Sequence, residues 1–223
     1  MPEALVLDAD AVLWSTDRSA VEGRHLLLLL HGYGADEHDL YPLRQYLPDA
    51  FAVASLAAPL APPWPAPGRS WYPIDGLDGR DSSHVTRAAQ AVIAWIDEHA
   101  AGAASIGLLG FSQGGAVSLQ ALRIDPRRFA YVVNLSGYAS PGEMPRDAEL
   151  AELRPPVFWG RGTKDDVIPE AAVTHTTQWL PEHVQLSGRV YPGLTHSVSE
   201  QEIADVAAFL DKQLTALDDA GKV

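Results

Sequence analysis

Residues 105–115 read Ser-Ile-Gly-Leu-Leu-Gly-Phe-Ser-Gln-Gly-Gly. An apolar run ends in a glycine-flanked serine, and a helix-compatible stretch follows. This order reads as a strand, a sharp turn that presents Ser112, and a helix starting near Gln113. It matches the G-x-S-x-G nucleophile turn. Gly110 and Gly114 are required on steric grounds, because a Cβ at either would collide where strand and helix approach. The pattern gains its weight from its context and from the partners downstream.

The rest of the chain supplies a sheet. His25–Leu30 contains five consecutive leucines, a central strand buried on both faces. Further strands are expected at Leu5–Leu7 and Ala11–Trp14, as a short hairpin or two edge strands. Others are expected at Phe51–Ala57, 105–110, Phe129–Leu135, Pro156–Trp159 and Gln185–Tyr191. Helices are expected at Asp36–Tyr46, from Ser82 or Ser83 to His99, at 113–123, at Pro169–Leu180 and at Glu200–Leu217, with fraying from Asp218. Ala58–Ser70 holds prolines at 59, 62, 63, 65 and 67, which forbids helix and inner strand. Tyr138–Leu153 reads as an irregular excursion. Alternating strands and helices imply an α/β fold, a mainly parallel sheet with helices on both faces, in one domain spanning 1–223.

Composition excludes several functions. The net charge of −13 repels phosphate backbones, so nucleic acid is not an expected partner. Cysteine is absent, which removes disulfides, thiol nucleophiles and thiolate metal sites. The leucine run is far short of the ~20 residues of a membrane span. Met1–Asp10 has no basic segment and carries three acids, so no secretory leader is expected. The expected setting is cytoplasmic, without integral membrane association, as a monomer or homodimer.

A serine hydroxyl needs a base within hydrogen-bond reach, and the base needs an orienting acid. In the chain order Ser–acid–His, three histidines follow Ser112. His175 falls inside a helix and His183 in a connection. His196 lies after the last strand and before the last helix, on the same rim as Ser112, and is the expected base. Asp165 and Asp166 follow the Pro156–Trp159 strand on that rim, and spacing does not separate them. Asp125 precedes Pro126 and reads as a turn residue. The oxyanion donors expected are the backbone N–H groups of Gln113 and of Tyr33 in His31-Gly32-Tyr33-Gly34. His31 precedes Ser112 and reads as a brace for that loop. Trp64, Trp71, Tyr72, Leu77 and Tyr138 are candidates for an apolar substrate pocket.

LLLHGYGADEHDL (28–40), RSWYPI (69–74), GFSQGG (110–115), GTKDDVIP (162–169) and GLTHSVS (193–199) occur in this order. Together they resemble the phospholipase/carboxylesterase family of small α/β-hydrolases, which includes acyl-protein thioesterases. The resemblance covers the chain from about residue 25. It implies an α/β-hydrolase fold without a large lid and a Ser112–Asp165–His196 triad. The acid is Asp165 because the family's G-x-x-D-x-x-[VI]-P pattern falls on 162–169. It implies oxyanion donors at Tyr33 and Gln113, with no metal or cofactor. The expected substrates are carboxylic esters, lysophospholipids or acyl thioesters cleaved through an acyl-enzyme. Perhydrolase or peptidase chemistry on the same triad, or a ligand-binding shell without turnover, are the alternatives. The chain departs from the family at Arg161, where His is common, at Tyr33, where Leu is common, and in the proline-rich insert.

Overall fold

The structure, a computed structural model, describes residues 4–63, 65–74 and 82–220. Among these residues, seven strands form one sheet: β1 (Val12–Trp14), β2 (His25–Leu30), β3 (Ala52–Leu56), β4 (Ser105–Phe111), β5 (Tyr131–Leu135), β6 (Pro156–Gly162) and β7 (Gln185–Tyr191). Their spatial order is β1-β3-β2-β4-β5-β6-β7. β1 runs antiparallel to β3, and every other pair is parallel. This is the α/β-hydrolase fold, with β4 and its serine turn near the middle of the sheet.

Among the described residues, five α-helices pack around the sheet: α1 (Ser82–His99), α2 (Gln113–Ile124), α3 (Asp147–Leu153), α4 (Glu170–His183) and α5 (Glu200–Ala220). The leucine run of β2 shows how they are divided. Leu26, Leu28 and Leu30 point into one core with Val92 and Ile96 of α1, Val117 of α2 and Leu180 of α4. Leu27 and Leu29 point into the other core with Phe209 and Leu210 of α5. All five leucines are fully buried. Alternate residues of a strand face opposite sides, so an unbroken apolar run is what a doubly covered strand requires. Among the described residues, no helix is long and apolar enough to cross a membrane.

Several elements differ from the sequence expectation. Asp36–Tyr46 is not an α-helix but a turn followed by a 3₁₀ segment at Tyr41–Tyr46. Pro42 sits in its first turn, and the Asp36 carboxylate accepts from the His38 N–H at 2.9 Å. Such local side-chain bonds compete with the helical ladder. Leu40 and Leu47 still reach the α5-side core. Leu5–Leu7 forms no strand: Asp8 closes a turn with Asp10 and Ala11, and only Val12–Trp14 pairs. The Tyr138–Leu153 stretch contains α3, anchored by a buried Arg123 that pairs with Asp147 at 2.7 Å. β6 runs on to Gly162, α4 to His183 and α5 to Ala220, beyond the expected fraying at Asp218. β5 begins at Tyr131, two residues later than expected.

Candidate active site

The turn between β4 and α2 holds Ser112 at φ 53° and ψ −112°, a left-handed conformation unusual for a residue with a Cβ. Holding a residue there costs about 1–3 kcal/mol. The glycines on either side make it possible. A Cβ on Gly110 would lie 2.3 Å from the Gly114 carbonyl, and one on Gly114 would lie 2.0 Å from the Leu30 carbonyl oxygen. β2, β4 and α2 are therefore packed backbone to backbone beneath the serine.

Three loops at the carboxyl ends of the strands converge here. Ser112 Oγ lies 2.8 Å from Nε2 of His196, which follows β7. The other ring nitrogen, Nδ1, lies 2.7 Å from Oδ2 of Asp165, which follows β6. With Nδ1–H donating to the carboxylate, Nε2 is left to accept the serine proton. Asp165 uses Oδ1 to accept from the N–H groups of Val167 and Ile168, at 3.0 and 3.2 Å. Asp166 is exposed, and among the described residues no hydrogen bond joins it to His196. The ring of Phe111 packs against His196 at 4.9 Å between centroids. The other two histidines lie elsewhere: His175 is on α4, and His183 stacks on Trp179 and bonds its carbonyl.

Tyr33 and Gln113 both line the cavity that opens above Ser112. A Cβ on Gly32 would lie 3.6 Å from that of Ser112, so the loop after β2 runs directly alongside the serine. The neighbouring Gly34 N–H is taken by the Arg69 carbonyl. Among the described residues, no acceptor engages the N–H of Tyr33 or of Gln113. The latter also opens α2, whose dipole favours negative charge at that point.

The cavity has a volume of about 620 Å³. Its wall is largely apolar, from Pro73, Ile74, Val85, Pro141, Ile168 and Ala172 among others. Tyr72 and Tyr138 are on this wall, with their phenol oxygens 2.8 Å apart. Burial, followed by the neighbouring Tyr138, holds the Tyr72 phenol well above its usual pKa, so it stays protonated. Trp71 is not on the wall. It is fully buried behind the loop after β2, where its indole N–H donates to the His31 carbonyl at 2.9 Å. Trp64 and Leu77 lie outside the described residues. Sequence reasoning did not single out Phe111, Val85, Ile168 or the side chain of Gln113. The V-I-P sequence after the acid was the available signal for the Ile168 part of the wall.

A family model described as phospholipase/carboxylesterase matches residues 15–214. The chain is 29% identical over 219 residues to a probable carboxylesterase of Oryza sativa subsp. japonica, covering 89% of this chain and 81% of that protein. It is 28% identical over 212 residues to carboxylesterase SOBER1 of Arabidopsis thaliana, covering 86% and 91%. The SOBER1 crystal structure superposes with a TM-score of 0.73 at 25% identity, over 86% of this chain and 100% of that one. A carboxylesterase from Bacillus cereus shares the fold at a TM-score of 0.76 and 20% identity, over 91% and 93% of the two chains. With the family model spanning nearly all of the sheet and its loops, this chain belongs to the phospholipase/carboxylesterase family of α/β-hydrolases.

Proposed function

We propose that the chain is a serine hydrolase that cleaves carboxylic esters or thioesters of single acyl chains through an acyl-enzyme. One observation carries this reading: Ser112 Oγ, His196 and Asp165 stand in a continuous hydrogen-bonded line, with steps of 2.8 and 2.7 Å. His196 Nε2 takes the hydroxyl proton as Ser112 Oγ attacks the acyl carbonyl. The oxyanion that develops is held by the N–H groups of Tyr33 and Gln113. The imidazolium then protonates the leaving alcohol or thiol, and the C–O or C–S bond breaks. Water repeats the sequence on the acyl-enzyme and releases the carboxylic acid and Ser112. Asp165 keeps its negative charge throughout and stabilises the charged ring.

The cavity supports a small-molecule substrate. Its apolar wall suits an alkyl or aryl acyl group, and its volume falls within the range of small-molecule sites. Hydrolysis of p-nitrophenyl esters from acetyl to palmitoyl, with Ser112→Ala measured beside the wild type, tests the reading. Turnover that falls by roughly 10⁴-fold or more in the variant supports it. A folded wild type that is silent on every ester and thioester overturns it in favour of a binding shell without turnover.

A further inference from the structure

We infer that the side chain of Gln113 is a positioning residue for the oxyanion site, acting through Ser70–Trp71–Tyr72 to fix the Tyr33 N–H. The inference rests on the serine-hydrolase reading above, in which Gln113 contributes only its backbone.

Gln113 is 3% exposed, and its amide is engaged through both the oxygen and the nitrogen. Oε1 accepts from the Trp71 N–H at 2.8 Å. Nε2 donates to the Tyr72 carbonyl at 2.7 Å and to Ser70 Oγ at 3.2 Å. A backbone N–H can only donate and a carbonyl can only accept, so this surrounding fixes the orientation of the amide. The residue after the nucleophile thus grips a segment 41 to 43 positions away in sequence.

That segment, together with the adjacent Arg69, holds the loop after β2 on both sides of Tyr33. On one side the Trp71 indole N–H donates to the His31 carbonyl. On the other, the Gly34 N–H donates to the Arg69 carbonyl at 2.9 Å, and the Arg69 N–H donates to the Ala35 carbonyl at 2.7 Å. His31 adds a third tie from within the loop. Its fully buried ring lies 2.7 Å from the Gly32 carbonyl through Nδ1 and accepts from the Ala58 N–H through Nε2 at 3.1 Å. These two bonds require the neutral ring with its proton on Nδ1, and burial depresses the His31 pKa in the same sense. A path of buried bonds therefore runs from Gln113 through Trp71 to His31, two residues before Tyr33.

A donor stabilises a developing oxyanion when it is already aimed, because it then pays no reorganisation during the reaction. Removing one such donor outright costs about 10²–10³-fold in kcat. Loosening it through its supports costs part of that. A role confined to folding would lower the melting temperature and leave turnover intact well below it.

The test uses Gln113→Met, which keeps the length and removes every bond, and Trp71→Phe, which keeps an aromatic ring and removes the indole donor. Each is measured for kcat and KM on p-nitrophenyl acetate at 25 °C, and for inhibition by an alkylboronic acid, whose tetrahedral adduct mimics the oxyanion. The expected result for Gln113→Met is a kcat lower by about 10- to 100-fold with KM little changed, and boronate affinity weakened in parallel. Trp71→Phe is expected to show a smaller loss of the same kind. The double variant should lose less than the product of the single losses, because both lie on one path. Gln113→Met with wild-type kcat and boronate affinity, whatever its melting temperature, overturns the inference. If that variant does not fold, Trp71→Phe with wild-type kcat and boronate affinity overturns it alone. Ester turnover surviving in Ser112→Ala would instead overturn the serine-hydrolase reading itself.

Discussion

Asp165 and His196 are joined at 2.7 Å through one carboxylate oxygen, while the other oxygen is pinned by two backbone N–H groups of the same loop. The carboxylate is thus fixed in direction before it meets the ring. The adjacent Asp166 is exposed. Asp165→Asn should lower kcat by up to about 10⁴-fold, since an amide can hold the ring in the wrong tautomer. Asp166→Asn should change kcat by less than about threefold. Steady-state rates of the two variants on one ester decide the matter, and equal losses would remove Asp165 from its role.

Tyr138 and Tyr72 bond each other on the wall of the cavity above Ser112, and on the esterase reading proposed above their rings bound the acyl site. Tyr138→Ala should open space for longer chains. Burying one further methylene is worth ~0.8 kcal/mol, about fourfold in kcat/KM. The ratio of kcat/KM for octanoyl over butanoyl p-nitrophenyl esters should therefore rise by roughly that factor for each methylene newly buried. Tyr138→Phe retains the ring and should leave the ratio near wild type. An unchanged ratio in Tyr138→Ala would place the acyl chain elsewhere.

Glu202 on α5 is fully buried, and among the described residues neither of its carboxylate oxygens has a partner. It lies against Gly160 of β6, where a Cβ would come within 2.0 Å of it. Burial, with the nearby Asp205 charge acting in the same sense, raises its pKa from 4.5 to about 7. A raised native pKa means that its contribution to stability is fully present below pH 4.5 and fades as pH rises through 7. Glu202→Gln is neutral at every pH and lacks this dependence. Urea unfolding at pH 5 and pH 8 should show the variant gaining on the wild type at pH 8, by on the order of 1–3 kcal/mol. The same stability difference at both pH values would contradict the burial of a titrating carboxyl there.

Much of the site could be read from the chain because its determinants are local. The glycines around Ser112, the leucine run of β2 and the loops carrying Asp165 and His196 each announce a backbone shape within a few residues. The failures share a different cause. Asp36–Tyr46 has helical spacing of leucines, but an aspartate turn and Pro42 outweigh it. α3 was hidden because the bond that anchors it comes from Arg123, 24 residues upstream. Trp71 looked like a pocket residue because an aromatic side chain in a loop carries no mark of its destination. Its partner is the His31 carbonyl, 40 residues away. The grip of Gln113 on Trp71 and Tyr72 is equally non-local. The three residues joined in one hydrogen-bonded line were legible, as was His31 as a brace of the loop after β2, but the grip of Gln113 and Trp71 was not.

The most direct measurement is covalent labelling of Ser112. The folded wild type is treated with a fluorophosphonate, and the adduct is counted by intact mass and located by peptide mapping. The expected result is one phosphonyl group per chain, on Ser112, with labelling absent in Ser112→Ala and slowed by several orders of magnitude in His196→Ala. A folded wild type that takes no label, or an adduct that persists in Ser112→Ala, would contradict an activated serine at the end of β4.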